Sequence, residues 1–196
     1  MEGETTTEKK QMADRTWEFV TRTGLNIVVR AAGPNDNAIL DDLFHHVSPE
    51  DLRFRFLAGM KEVPPEQIRE MTHVDHHTIE TYIGFLDDNQ TPVATAMLAR
   101  EGSSGRGEVA ISVRADYRGH GIGWKMLALV VEQAKAWGLK VIESVESRAN
   151  HDAIELEKNM GFTAAPYPDD PTLVLVTKKL GAVSPGISGR HGSPSP

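Results

Sequence analysis

The chain of 196 residues contains no cysteine, which excludes disulfide bonds and a thiol nucleophile and agrees with a reducing compartment. It also has no apolar run near the about 20 residues that a membrane-spanning helix needs, and Met1 to Lys10 holds no apolar signal core. The expected location is therefore cytoplasmic, without membrane attachment. Lys and Arg number 21 against 28 Asp and Glu, a net charge of −7, so the basic surface on which general nucleic-acid affinity rests is missing. The same acidity favours solubility and is mildly agreeable to a basic acceptor. Two catalytic signatures are absent as well. No Gly-x-Ser-x-Gly marks a hydrolase nucleophile, and Gly123 is followed by Trp124-Lys125-Met126 rather than the Lys-Ser/Thr of a nucleoside-triphosphate loop.

What is present is an ordinary globular composition, 39% hydrophobic and 25% charged, which at this length fits one domain with a sizeable core. Residues 1–14 are polar and aperiodic, and 181–196 are too rich in Gly, Ser and Pro to offset their ordering entropy, so both are expected as disordered tails around a single domain at 15–180. Asn26–Arg30 reads as a strand, followed by a helix after Pro34 that Asn35 or Asp36 can cap. Ser48-Pro-Glu-Asp opens a second helix and Pro64-Pro-Glu-Gln a third. Strands are expected over 78–86 and 92–100 about the polar break 87–90, then over 108–113 and 139–145. A long helix follows 108–113, a helix of about 150–160 follows 139–145, and two strands close the chain. This order predicts an α/β (α+β) fold, a mixed sheet covered by helices on both faces.

The most informative segment is Val113-Arg-Ala-Asp-Tyr-Arg-Gly-His-Gly-Ile-Gly-Trp124, a strand-to-helix turn with Arg118, Gly119, Gly121 and Gly123. Glycines let backbone approach a ligand closely, and the first-turn N–H groups of the next helix carry partial positive charge into the same space. Arg118 adds a cation that can grip two phosphate oxygens. The position past mid-chain disfavours a dinucleotide fold, whose glycine turn belongs to the first strand-helix unit.

Arg118 to Gly123 fits Arg/Gln-x-x-Gly-x-Gly/Ala and resembles the pyrophosphate-binding signature of the GCN5-related N-acetyltransferases (GNAT). Glu108-Val-Ala-Ile-Ser-Val113 resembles that family's fourth strand, and Asn150 to Phe162 its closing helix with the Gly-Phe that follows. Ser48 to Phe56 and Met71 to His76 further resemble segments of the bacterial Pat-type protein lysine acetyltransferases. The resemblance implies a mostly antiparallel sheet that splays between its fourth and fifth strands, with acetyl-CoA lying in the gap and no metal. The main chain of Ile111 and Val113 would pair with the pantetheine, and Gly119, His120, Gly121, Ile122, Gly123 and Trp124 would surround the pyrophosphate beside Arg118. The His120 side chain either touches a phosphate or faces solvent. Asn150 either bonds the pantetheine or caps its helix. The 196 residues leave room for the acetyltransferase domain alone, without the fused domains of some relatives.

Transfer of acetyl from a thioester to an amine is limited by protonation of the amine, about one in a thousand lysines being free at neutral pH. A carboxylate base is therefore expected. Glu108 shares a strand face with the small Ala110 and Ser112, and it is either that base or a solvated strand-start residue. The resemblance to Glu-x-Ala-x-x-Val of the Pat relatives implies the base. Many family members carry a tyrosine acid in Leu-Tyr-x-x-x-Gly-Phe; here Leu156 is followed by Glu157, which reads as an exposed helical residue. His73, Asp75, His76 and His77 lack the convergent spacing of a metal site and read as a loop or as structural hydrogen-bonding groups. The function expected is acetyl transfer to a protein lysine. A small-amine acetyltransferase or a non-catalytic acyl-CoA-binding module is the alternative, as a monomer or homodimer in each case.

Overall fold

The computed structural model describes residues 16–181 apart from Asn89 and Asp169; the tail expected at 1–14 and that beyond Gly181 lie outside the described residues. The elements run β1 (Thr16–Val20), β2 (Asn26–Ala31), α1 (Asn37–His45), α2 (Pro49–Phe56), α3 (Pro65–Thr72), β3 (Ile79–Leu86), β4 (Pro92–Glu101) and β5 (Arg106–Val113). After a 3-10 turn (Ala115–Tyr117) come α4 (Ile122–Ala136), β6 (Val141–Ser147), α5 (His151–Asn159), β7 (Thr163–Tyr167) and β8 (Asp170–Lys179). The strands form one sheet in the order β1-β2-β3-β4-β5-β6-β8-β7, antiparallel throughout except between β5 and β6. This is the mixed, mostly antiparallel sheet that the sequence leads one to expect.

Helices cover both faces because the central strands are apolar on both. In β3, Ile83 and Phe85 pack with Leu40, Leu43, Phe44, Leu52, Ile68 and Met71 of α1, α2 and α3. The preceding Tyr82 faces the other core, built on Met126, Leu127 and Val130 of α4. Gly84 fits beneath α4, where a Cβ would come 3.3 Å from the Met126 sulphur.

Local chemistry sets the boundaries. Ser48 accepts the Asp51 N–H at 3.1 Å, Pro49 occupies the first helical position of α2, and Glu50 and Asp51 lie in its first turn. Asp36 stands before α1 but does not cap it. Its carboxylate instead takes two hydrogen bonds from Arg30 at 2.7 and 2.8 Å and one from the Gly33 N–H at 2.7 Å. Burial would raise that carboxyl, but these bonds outweigh it and hold the group below its ordinary range. Strand β1 was not anticipated from the sequence. It is a five-residue edge strand fixed by Trp17 and Phe19 leaning on the core, with Trp17 edge-on to Tyr82 at 5.6 Å.

The feature that positions the site is the β5–β6 seam. Its parallel ladder consists of Arg106 with Val141, Gly107 with Ile142 and Glu108 with Glu143. Beyond Glu108 the two strands diverge, and the expected splay between the strands at 108–113 and 139–145 is this opening. Among the described residues no helix is long and apolar enough to cross a membrane.

Candidate active site between strands β5 and β6

The splay opens a cleft of about 550 Å³. One wall is β5 from Glu108 to Val113, and the other is Val145 and Glu146 of β6 with Asn150 just before α5 and Leu156 and Glu157 on it. Phe54 and Arg55 of α2 face it, and Arg118, Gly119, Gly121, Ile122, Gly123 and Trp124 close one end. Of the residues that the resemblance assigns to the coenzyme and to the base, all but His120 line the cleft.

The turn at that end is built for backbone exposure. Gly119 and Gly121 take φ of +77° and +87°, a left-handed conformation costly for any residue with a Cβ. Gly121 immediately precedes α4 and no side chain caps the helix, so its first N–H groups open toward the cleft. Arg118 donates to Asp51 at 3.2 Å and to Asp152 at 3.1 Å. A second guanidinium, Arg22 from the β1–β2 turn, donates to the Gly119 carbonyl at 3.4 Å and also lines the cleft. Arg22 lies about 97 positions from this turn, and no local signal in the sequence marks it. His120 turns the other way: Thr23 donates to its carbonyl at 3.1 Å, and the Thr23 hydroxyl lies 3.3 Å from its Nδ1.

Along β5, the edge facing β4 is paired throughout. The edge facing β6 has no ladder partner beyond Glu108, so the main chain around Ile111 and Val113 borders the cleft. Glu108 has an exposed side chain and, among the described residues, no hydrogen bond or ion pair. The Arg55 guanidinium stands near it. Burial lowers the pKa of Arg55, while the charges of Glu108 and Glu146 oppose that shift. Its Nε is buried with no hydrogen-bond partner among the described residues.

Asn150 does not cap α5 with its side chain; its Nδ2 donates to Glu146 Oε2 at 2.9 Å. Burial pushes the Glu146 carboxyl up to about 7, against the Asn150 bond and the charge of Arg55. Glu157, expected at the surface, is 5% exposed. Ser144 of β6 donates to its Oε1 at 2.5 Å, and its Oε2 is buried with no hydrogen-bond partner among the described residues. Burial first, then the charge of Glu146, push this carboxyl up to about 8 against the Ser144 bond. Helical periodicity could not reveal this, because the residue is buried by a cleft wall and not by the core.

The histidine-rich segment is held by local bonds. Asp75 accepts from the N–H groups of His77, Thr78 and Ile79 and from the Thr78 hydroxyl. These bonds outweigh burial and hold its carboxyl far below the ordinary range. His76 Nδ1 lies 2.9 Å from the buried Glu80 carboxylate. Among the described residues no three His, Asp or Glu side chains are grouped to hold a metal ion.

Residues 42–162 match the acetyltransferase (GNAT) family model. An acetyltransferase of Pseudomonas aeruginosa is 25% identical over 161 residues, 81% of this chain and 87% of that protein. An L-methionine sulfoximine/L-methionine sulfone acetyltransferase of the same species is 37% identical over 62 residues, 32% of this chain and 36% of that one. Among solved structures, the GNAT domain of S. lividans PAT has a TM-score of 0.78 at 21% identity, covering 84% of this chain and 97% of that domain. A cAMP-binding acyltransferase from Mycobacterium smegmatis has a TM-score of 0.61 at 18% identity; 90% of this chain matches, spanning 51% of that one. These structural likenesses concern the fold.

Proposed function

The chain belongs to the GNAT family of acetyltransferases, and from that premise we propose that it moves the acetyl group of acetyl-CoA directly onto the side-chain amine of a protein lysine, with Glu108 as general base. The reading places this reaction in the cytoplasm, in a monomer or homodimer. The observation that carries it is the end of the β5–β6 ladder at Glu108, which sets a carboxylate with no hydrogen bond or ion pair among the described residues at the point where the sheet opens.

The residues present fit the coenzyme. Two glycines at positive φ before an uncapped helix start suit a pyrophosphate held by the N–H groups of Ile122, Gly123 and Trp124. Arg118 and Arg22 complement its charge. The unpaired edge of β5 suits an amide-bearing arm laid along Ile111 and Val113, and the Asn150 amide lies beside that path. Acetyl-CoA supplies the acyl group as a thioester. Glu108 takes a proton from the acceptor ammonium, raising the fraction of nucleophilic amine, and β5 orients the two reactants side by side.

A small zwitterionic acceptor is the second reading. It is favoured by Arg55, whose buried Nε has no hydrogen-bond partner among the described residues and suits a carboxylate, and by the short match to the methionine sulfoximine acetyltransferase. The test is mass spectrometry of a lysate protein pool and an amine panel after incubation with isotopically labelled acetyl-CoA, with Glu108→Gln in parallel. Label on protein lysines that vanishes in Glu108→Gln supports the first reading. Label on small amines alone replaces it with the second, and label nowhere leaves only coenzyme binding.

A further inference from the structure

Glu108 stands on the β5 wall of the cleft; on the opposite wall the structure sets a second carboxyl in a different state. Asn150, Ala153 and Glu157 fall at helical spacings of three and four and line the cleft together. Ser144, which binds Glu157 Oε1, directly follows Glu143, the residue paired with Glu108 on the last rung. Glu157 is thus level with the start of the splay. One of its oxygens is satisfied by Ser144, and the other is buried with no hydrogen-bond partner among the described residues. A carboxyl in this setting holds a proton at neutral pH, and its O–H, otherwise without an acceptor, calls for one within the cleft.

We propose that Glu157 is the acid that gives its proton to the sulphur departing from the acetyl group. The proposal rests on the acetyl-transfer reading above. Counted from the ammonium, two protons leave nitrogen and one reaches sulphur. Glu108 passes the first to bulk water through the open mouth of the cleft. It takes the second as the C–N bond forms and the C–S bond breaks; the sulphur keeps the bonding pair and receives the Glu157 proton. One proton then moves from Glu108 to Glu157 through water, and both carboxyls return to their starting forms. The charge acting on Glu157 is that of Glu146 on β6, while Glu108 on β5 and Arg55 on α2 line the same cleft. Lys178 of β8 is engaged at the far end of α5, where it donates to the Met160 carbonyl at 2.6 Å.

The experiment compares wild type, Glu157→Gln and Ser144→Ala by pH-rate profile, coenzyme A calorimetry, and infrared difference spectroscopy on coenzyme A binding. In wild type the rate falls on the alkaline side as Glu157 ionises, and coenzyme A shifts a protonated-carboxyl C=O band. Glu157→Gln binds coenzyme A within about twofold, loses about 10²-fold in kcat, and lacks both the alkaline limb and the band. Ser144→Ala removes a bond that favours the ionised form, so it keeps the limb and moves it to higher pH. Amine transfer with rate, limb and band unchanged in Glu157→Gln overturns the assignment while leaving the acetyltransferase reading intact. A wild type that acetylates no amine, yet whose band responds to coenzyme A and disappears in Glu157→Gln, removes the acceptor reading and retains the buried acid.

Discussion

Glu108 and Glu143 face each other on the last rung of the β5–β6 ladder, yet only one of these two carboxylates is neutralised. Arg106 forms an ion pair with Glu143, while Glu108 has no hydrogen bond or ion pair among the described residues. Glu108→Gln is therefore expected to lower kcat by about 10²- to 10⁴-fold with coenzyme A affinity retained. Glu143→Gln should change kcat less than tenfold. Steady-state kinetics with calorimetry on both variants checks the contrast, and equal losses would remove the distinction between them.

Stability should fall as pH rises. The folded-state pKa of Glu157 is raised from 4.5 to about 8, so its stabilising contribution is complete below the unfolded value and is lost as pH climbs through the folded one. Glu146, raised to about 7, acts in the same direction. Thermal unfolding from pH 5 to 8 should show a declining Tm whose slope flattens in Glu157→Gln, the difference amounting to a few kcal/mol at most. A Tm independent of pH across that window would contradict this.

The coenzyme turn should tolerate no side chain at Gly121. A Cβ there would stand 3.3 Å from Arg22 Cγ on backbone at φ +87°, so Gly121→Ala should cost about 1–2 kcal/mol of stability and weaken coenzyme A binding at least tenfold. Arg118→Ala should weaken binding about tenfold with little change in Tm, because Arg118 is itself exposed and so is the partner Asp152, leaving only Asp51 partly buried. Calorimetry and thermal melts separate the two effects.

Ser48→Ala should destabilise the fold by about 1 kcal/mol through loss of the α2 cap. Because α2 carries Phe54 and Arg55 on the cleft wall, the KM for the acceptor should rise more than the Kd for coenzyme A. A melt and a two-substrate kinetic matrix read both.

Much of this was legible in the chain because local chemistry dictated it. Ser48 with Pro49 marks the start of α2, Pro64 with Pro65 that of α3, and the polar break at 87–90 separates β3 from β4. The turn at 118–124 declares its character by composition alone. What stayed hidden depends on partners distant in sequence. Arg22 reaches the turn only after β1 pairs with β2, and β1 itself is short and flanks a polar segment. His120 is drawn aside by Thr23. Asp36 and Asn150 sit at helix starts where capping is the local expectation, but Arg30 and Glu146 supply stronger partners. Glu157 occupies the slot in which many related sequences carry tyrosine, and its burial comes from a cleft that exists only once β5 and β6 part.

The three-rung seam also has a mechanical meaning. Strands β1 to β5 form one plate and β6, β8 and β7 another, joined edge to edge by fewer backbone bonds than hold either together. Any molecule that bonds to the free edge of β5 and to α5 at once acts as a stitch across that joint. Ligand binding should therefore slow hydrogen exchange at β6 and β8 as well as at the residues it touches, making the far plate the place to watch for occupancy of the cleft.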